Sequence, residues 1–154
     1  MRTCSEAELS GIAEELVTEI RSANRAAVPR LVLQGPLGAG KSTLARAMLE
    51  AFGVHREAEG SPTFAIAHEY RSSDGRRIVH ADGYRLKNES ELEATGLLET
   101  LWDPEFVVIF EWLDLFPDTM RALMESPLPT VWVRLGFVAE NPDRREIEIA
   151  RTGF

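Results

Sequence analysis

The chain has 154 residues, of which 25 are Asp or Glu and 17 are Lys or Arg, so its formal net charge is −8 at pH 7. This length fits one domain, residues 1–154, with a hydrophobic core of its own. The acidic balance, without any block of basic residues, argues against direct binding of nucleic acid, which needs cations opposite the phosphates. If RNA is involved, a partner is expected to hold it.

Cysteine content and hydropathy bear on the compartment. Cys4 is the only cysteine, which excludes an intrachain disulfide and a zinc cluster. The longest strongly apolar run, residues 106–110, is far too short to cross a bilayer, and the first residues lack the apolar stretch of a signal peptide. We therefore expect a soluble protein of the reducing cytoplasm that makes no contact with membranes.

The first predicted element is an amphipathic helix at the start of the chain. Ser5-Glu6-Ala7-Glu8 has the pattern of a capping box, which satisfies the first N–H groups of a helix. Apolar residues then recur at helical spacing: Leu9, Ile12, Ala13, Leu16, Val17 and Ile20.

The next segment carries a complete nucleotide-binding motif. Residues 35–42 read Gly-Pro-Leu-Gly-Ala-Gly-Lys-Ser, a match to G-x-x-x-x-G-K-S/T, the P-loop. The apolar run 31–33 precedes the motif as a predicted strand, and residues 43–52 follow it as a predicted helix. In such a loop, backbone N–H groups surround phosphate oxygens, and the helix dipole favours the same anion. A chance glycine-rich turn is the alternative, and the flanking strand and helix make it the weaker one.

The motif predicts a site for ATP and Mg²⁺. We expect Lys41 to reach the β- and γ-phosphates and the Ser42 hydroxyl to ligate Mg²⁺. The predicted nucleotide-binding residues are the whole loop and the residue after it: Gly35, Pro36, Leu37, Gly38, Ala39, Gly40, Lys41, Ser42 and Thr43.

The middle of the chain combines a hairpin with a helix and a buried strand. Two strand-like runs, 63–70 and 76–81, flank Ser72-Ser73-Asp74-Gly75, which is a hairpin signal. Residues 88–101 form a predicted helix that Gly96 interrupts or ends. The valine- and isoleucine-rich run 106–110 is typical of a strand buried on both faces.

The last third predicts a short helix at 118–125 and strands at 130–135 and 145–150, the last alternating like an exposed edge strand. The expected fold class is therefore α/β: a three-layer P-loop NTPase-like domain with a mixed sheet whose centre is parallel. In such sheets ligands bind at the carboxyl ends of the parallel strands. The loop after the strand 130–135, including Gly136, is the candidate contact for the base.

Two carboxylates follow predicted strands at this edge of the sheet. Glu111 comes directly after the run 106–110, and Asp82 ends the run 78–81. A P-loop site needs a carboxylate in the Mg²⁺ shell and a group that positions water or an acceptor on the γ-phosphate. Both residues are therefore candidates, although each can also be an ordinary cap or turn residue.

Three other residues have two interpretations each. Thr63, in Ser61-Pro62-Thr63, lies where many P-loop proteins place a loop that senses the γ-phosphate, and a strand-entry turn is the equally supported alternative. His80 shares one face of an extended segment with Asp82, and either orients that carboxylate or packs against the sheet. Trp112 belongs either to the core or to the nucleotide or partner side of the site.

Taken in order, these motifs resemble the small bacterial ATPases of tRNA threonylcarbamoyladenosine biosynthesis, the TsaE (formerly YjeE) family. The matching segments are Leu37-Gly38-Ala39-Gly40-Lys41-Ser42-Thr43, Ser61-Pro62-Thr63-Phe64, His80-x-Asp82-x-Tyr84-Arg85, Glu91-Leu92 through Gly96-Leu97, and Glu111-Trp112. A P-loop alone is shared by many activities, whereas this ordered set is not.

The resemblance implies ATP hydrolysis in the service of a TsaD–TsaB type threonylcarbamoyl-transferase, with tRNA engaged only indirectly. Carried over by motif, Lys41 and Ser42 bind phosphate and Mg²⁺, and Glu111 supports the metal. Asp82 is needed for turnover, and Thr63 belongs to the γ-phosphate-sensing loop.

The chain departs from the family pattern at two positions. Pro36 stands where the family usually has Asp, and it removes both a backbone donor and an acid from the loop. Gly83 stands where a larger apolar residue is usual. The departure at Pro36 bears on the hydrolysis rate and on partner contacts.

Two other functions begin from the same loop. A small-metabolite kinase needs an acceptor pocket and normally a lid with several arginines, whereas the region after Glu111 offers one short helix with Arg121. A nucleotide-gated binding module would bind ATP and change its affinity for a partner without turnover. Hydrolysis in the presence of partners distinguishes this module from an ATPase.

Overall fold

The computed structural model describes residues 1–22, 29–54 and 66–154. Its strands are β1 Arg2–Ser5, β2 Arg30–Gln34, β3 Ala67–Arg71, β4 Arg77–Asp82, β5 Phe106–Glu111, β6 Thr130–Val138 and β7 Asn141–Thr152. Its helices are α1 Leu9–Ser22, α2 Lys41–Ala51, α3 Glu89–Ala94, α4 Leu97–Trp102 and α5 Pro117–Glu125, with a short 3-10 helix at Leu113–Leu115. None of these helices combines the length and apolar character that crossing a bilayer requires.

All seven strands of the described ranges form one mixed sheet, in the order β1-β7-β6-β2-β5-β4-β3. The four central strands, β6, β2, β5 and β4, are parallel, and their register places Val32 beside both Phe110 and Trp132. Antiparallel β3 borders β4, while β7 and β1 extend the other side. The predicted mixed sheet with a parallel centre is confirmed.

Helices cover both faces of this sheet. Leu31 and Leu33 of β2 pack with α1 and α2 on one face, whereas Val32 packs with the other helices on the opposite face, because successive side chains of a strand alternate. Every residue of β5 is buried, as predicted for a strand with helices on both sides. The three-layer α/β architecture therefore follows from the apolar pattern.

The start of the chain differs from its prediction. The capping box forms, since the Ser5 N–H donates to Glu8 Oε2 at 2.6 Å and the Glu8 N–H donates to Ser5 Oγ at 3.3 Å. The helix, however, is preceded by β1, which pairs with β7. β1 covers β7 only from Arg144 to Ile147, so among the described strands residues 145–147 of the predicted edge strand 145–150 lie inside the sheet and residues 148–150 lie at its edge. The edge prediction is therefore wrong for the first half of that segment and correct for the second. Residues 2–5 are too few and too polar to reveal a strand by periodicity.

The hairpin of β6 and β7 is longer than predicted. β6 continues to Val138, and Gly136 pairs with Glu146 inside it. Gly136 is therefore a strand residue rather than part of a loop, which corrects the location proposed for the base contact. The predicted break at Gly96 is confirmed, because this residue separates α3 from α4 with φ +79°.

A buried arginine joins β2 to the opposite layer. Arg30 is fully buried, and its Nε donates to the carbonyl oxygen of Leu101 at 2.7 Å, near the end of α4. The same guanidinium donates to the carbonyl oxygens of Asp103 and Phe106. These hydrogen bonds fix the segment that leads into β5. The helix dipole of α4 also favours the positive charge of Arg30 near its carboxyl end.

The structure explains Gly83, one of the two departures from the family pattern. A Cβ at this position would lie 2.7 Å from Cε2 of Phe116 and 3.3 Å from Cε1 of Phe110. Both phenylalanines are buried, so neither ring can move into solvent. The ring of Phe116 fills the space that a larger residue at position 83 would need.

We expect Gly83→Ala to lower the free energy of unfolding by about 1–3 kcal/mol, the usual effect of overpacking a core. Denaturant unfolding of the nucleotide-free chain measures it. In a Phe116→Leu background the same substitution should cost less, because the smaller side chain leaves room. Strictly additive effects of the two changes would contradict this account.

Candidate functional site

Three glycines in the loop between β2 and α2, Gly35, Gly38 and Gly40, have positive φ. Gly35 has φ +141°, and a Cβ there would lie 2.2 Å from the carbonyl oxygen of Leu135, so the neighbouring strand approaches the loop closely. Gly38, with φ +80°, is the third residue of a turn closed by the Ala39 N–H, which donates to the carbonyl of Pro36 at 3.1 Å. A positive φ at this turn position favours glycine.

Lys41 lies at the base of this loop as the first residue of α2 and is only 4% exposed. Its ammonium donates to the carbonyl oxygens of Gly35 and Pro36 at 2.5 and 2.9 Å. The same nitrogen lies 3.8 Å from the centroid of the Trp112 ring, a cation–π contact. Pro36 therefore lacks an N–H but still serves the site through its carbonyl.

The charges around Lys41 come from three carboxylates. Burial lowers the pKa of the Lys41 ammonium, and the negative charges of Glu111, Asp114 and Asp82 offset part of that effect. Asp114 was missed by the sequence reasoning. Its position three residues after Glu111, at the same edge of the sheet, is the signal that would have suggested it.

Glu111 is the last residue of β5 and is almost completely buried. Its Oε1 accepts a hydrogen bond from Ser42 Oγ at 2.8 Å, and its Oε2 lies 2.5 Å from Nε2 of His80. Burial raises the pKa of this carboxyl, but the contacts with His80 and Ser42 and the charge of Lys41 outweigh burial and lower the pKa overall. The structure thus brings together Lys41, Ser42 and Glu111.

His80 contacts a different carboxylate from the one considered in the sequence analysis. In the parallel register, Asp82 lies beside Glu111 and His80 beside Ile109, and the imidazole reaches forward to the Glu111 carboxylate. Asp82 is instead held by its own loop, where Oδ1 accepts from the Tyr84 N–H at 2.9 Å.

The loops after β4 and β5 meet beside the P-loop. The Gly83 N–H donates to the carbonyl of Glu111 at 3.0 Å, and the ring of Tyr84 packs 4.9 Å from that of Trp112. Trp112 has φ +67°, an uncommon conformation for a residue with a side chain. Of its two interpretations, the structure supports the site, because its ring faces Lys41.

A cavity of about 150 Å³ opens at the P-loop. Predicted site residues form much of its wall: Leu37, Gly38, Gly40, Lys41, Ser42, Thr43 and Glu111. Glu6, Leu9 and Arg145 complete it together with Trp112. Glu6 and Leu9 lie far from Arg145 and from the P-loop in sequence, and no motif marks these three as cavity residues. Thr63 and its segment, residues 61–64, lie outside the described residues.

In this chain β2 leads into a G-x-x-x-x-G-K-S loop, which leads into α2, and a carboxylate lies at the end of the adjacent parallel strand. This arrangement defines a P-loop NTPase-like α/β domain. The crystal structure of YdiB from Bacillus subtilis has a similar fold. Its TM-score is 0.60 over 99% of this chain and 87% of that chain, at 23% sequence identity.

Sequence comparisons identify the family. The family model described as threonylcarbamoyl adenosine biosynthesis protein TsaE matches residues 3–147. The tRNA threonylcarbamoyladenosine biosynthesis protein TsaE of Bacillus subtilis is 35% identical over 124 residues, which cover 80% of this chain and 70% of that protein. The chain belongs to the TsaE family, whose members take part in this tRNA modification.

Other relatives match over a shorter span. The TsaE proteins of Streptomyces coelicolor and Haemophilus influenzae are 45% and 40% identical over 84 and 80 residues. These alignments cover 53% and 52% of this chain, and 55% and 49% of the two relatives. The match to these two proteins thus spans about half of their length.

Proposed function

We propose that this chain, as a single domain, is a Mg²⁺-dependent ATPase that assists a TsaD–TsaB type transferase in forming N6-threonylcarbamoyladenosine in tRNA. The observation that carries this proposal is the hydrogen bond between Ser42 and Glu111 at the P-loop. It joins a hydroxyl at the start of α2 to a buried carboxylate on a neighbouring strand, the pair of protein oxygens expected beside a magnesium–nucleotide complex.

The loop fits a polyphosphate. Glycine conformations turn its backbone around a space at the N-terminus of α2, where an anion is favoured. The Lys41 ammonium, held by carbonyl oxygens of the same loop, supplies the positive charge. Compared with the usual family loop, Pro36 leaves one backbone donor fewer, so the remaining N–H groups and Lys41 carry more of the binding.

The oxygens also fit Mg²⁺. This ion prefers hard oxygen ligands and usually keeps several waters, with one or two protein ligands beside the phosphates. Ser42 and Glu111 would hold it, and when bound it neutralises charge on the β- and γ-phosphates. Among the described residues no cluster of three or more His, Cys, Asp or Glu side chains could hold a metal ion.

We assign to Asp82 the positioning of the water that attacks the γ-phosphate. Its carboxylate is only half-buried and is oriented by the Tyr84 N–H, and its charge acts on Lys41. A carboxylate in this position can accept a hydrogen bond from the water that attacks the γ-phosphate. Thr63 remains the candidate for sensing that phosphate.

The net charge of −8 makes tight binding of tRNA by this chain unfavourable. We infer that the transferase subunits hold the tRNA and that this chain acts on them through its nucleotide state. Because tRNA modification and an unpaired Cys4 both suit a reducing compartment, we infer that the chain works in the cytoplasm.

We expect Lys41→Ala to weaken ATP binding by at least tenfold to a hundredfold, because a charge-assisted hydrogen bond is worth about 1.5–3 kcal/mol. Calorimetric titration with ATP and Mg²⁺ measures the loss. Lys87, the other lysine of the chain and an exposed residue, provides the control, since Lys87→Ala should bind as the unmodified chain does. Unchanged affinity in the Lys41 variant would remove the P-loop from the function.

Glu111→Gln keeps the shape of the side chain and removes its charge. We expect ATP hydrolysis to fall at least about tenfold and to need more Mg²⁺, as for other changes close to a metal. The thermal midpoint of the nucleotide-free chain should change less than the hydrolysis rate does, because the amide oxygen can still accept from His80 and the amide N–H can donate to the Ser42 hydroxyl. A large drop in that midpoint with an unchanged Mg²⁺ requirement would instead make Glu111 a structural residue.

The accessory role predicts a specific behaviour of Asp82 variants. Alone, the chain should hydrolyse ATP slowly and leave tRNA unmodified, and with limiting transferase it should sustain repeated rounds of threonylcarbamoylation. Asp82→Ala should bind ATP normally and lose this support, since a residue that positions water acts after binding. Asp82→Asn, which keeps an acceptor for the Tyr84 N–H, separates the loss of charge from the loss of loop structure.

A reconstituted modification assay with counted turnovers per transferase tests this role. Equal turnover with the unmodified chain, with the Asp82 variants and without the chain would exclude it. Support that persists in the Asp82 variants while they fail to hydrolyse ATP would instead favour a nucleotide-gated binding module.

A further inference from the structure

His80 makes a close contact with Glu111, and the proposed function assigns His80 no role. Its Nε2 lies 2.5 Å from Oε2 of Glu111, and the two side chains are 17% and 2% exposed. The second carboxylate oxygen of Glu111 accepts from Ser42 at 2.8 Å. Each oxygen of this buried carboxylate therefore has its own partner, one from β4 and one from α2.

The direction of the hydrogen bond follows from the chemistry of the two groups. An ionised carboxylate only accepts hydrogen bonds, and Ser42 already donates to Oε1. Nε2 of His80 therefore carries the hydrogen that lies between the two residues. Such charge-assisted bonds are stronger than neutral ones and fix geometry more tightly.

The hydrogen bond from His80 keeps Glu111 from pairing with another group, the ammonium of Lys41. The ammonium of Lys41 acts electrostatically on Glu111. Among the described residues it is held by the carbonyl oxygens of Gly35 and Pro36 and by the Trp112 ring. A carboxylate released from His80 could rotate to pair with Lys41. That ion pair would draw Glu111 away from Ser42, while the two loop carbonyls still hold the ammonium.

We propose that His80 is a positioning residue, whose Nε2–H holds one oxygen of Glu111 so that the other stays directed at Ser42. The role rests on the proposed function, because it concerns the residues assigned to Mg²⁺. His80 acts only through Glu111 and touches neither nucleotide nor metal. The same chemistry, a histidine N–H on a carboxylate, orients groups beside many protein-bound metals.

Three variants separate this role from simple packing. His80→Leu keeps volume and removes the donor, whereas His80→Gln places an amide N–H near the position of Nε2. His68→Leu is the matched control, because His68 lies directly opposite His80 in the β3–β4 register and is exposed. A fluorescent ADP analogue is titrated into each chain, with increasing Mg²⁺ and in EDTA.

We expect His80→Leu to raise the half-maximal Mg²⁺ concentration about tenfold to a hundredfold, the usual cost of losing such a partner. ADP binding in EDTA should stay within about twofold, because Lys41 and the loop are untouched. His80→Gln should recover most of the Mg²⁺ response, and His68→Leu should behave as the unmodified chain. Equal Mg²⁺ responses of the Leu and Gln variants, or an equal loss in EDTA, would overturn the proposal.

Nuclear magnetic resonance of the unmodified, nucleotide-free chain tests the contact without any ligand. The His80 ring should carry its hydrogen on Nε2, and this hydrogen should exchange with water more slowly than the ring hydrogen of His68. A ring with hydrogen only on Nδ1, or an equally fast exchange, would refute the proposal. If the unmodified chain bound no ADP at all, the proposed function would fail, and the resonance experiment would still decide the role of His80.

Discussion

The buried carboxylate of Glu111 is the constraint on which the site depends. A charge removed from water must be compensated locally, and here Ser42 and His80 provide the compensation from two different elements. Because Ser42 lies in the first turn of α2 and His80 lies in β4, this carboxylate fixes the P-loop helix relative to two adjacent strands. The residue proposed to hold Mg²⁺ is therefore also one that holds the elements of the structure together.

The surrounding architecture supplies the rigidity that such a carboxylate needs. β5 is buried along its whole length, and Arg30 holds the segment that leads into it through the carbonyl oxygens of Leu101 and Phe106. β5 is thus held at its start by a buried guanidinium and at its end by the contacts of Glu111. If Glu111 lay in a loop instead of at the end of this buried strand, its carboxylate would have more conformational freedom.

Local patterns were enough to predict most of the elements. The P-loop, the hairpin, the break at Gly96 and the buried strand β5 each depend on residues that are adjacent in sequence, and all of them appear in the structure. The strand β1 did not follow from sequence because four mainly polar residues acquire their conformation by pairing with β7. Its omission also produced the wrong edge assignment for residues 145–147 of β7, where β1 covers the strand.

For the site, too, the residues marked by local patterns were predictable and the contacts made by tertiary packing were not. Lys41, Ser42 and Glu111 each belong to a motif or follow a strand, so their convergence was expected from the topology of parallel strands. The contact of His80 with Glu111 was not, because it depends on how far an imidazole reaches across a strand pair. Glu6, Leu9 and Arg145 lie on the cavity wall only because of tertiary packing, which no local pattern records.

The pairing of β1 with β7 has a consequence for the order in which the cavity is built during synthesis. The register joins Arg2 to Ile147, and Arg145 of β7 lies on the cavity wall with Glu6 and Leu9. The P-loop itself emerges from the ribosome early, but its surroundings close only after nearly all of the described chain has been made. Contacts so distant in sequence carry a high cost of loop closure, so this side of the cavity cannot be completed on the nascent chain until β7 has been made.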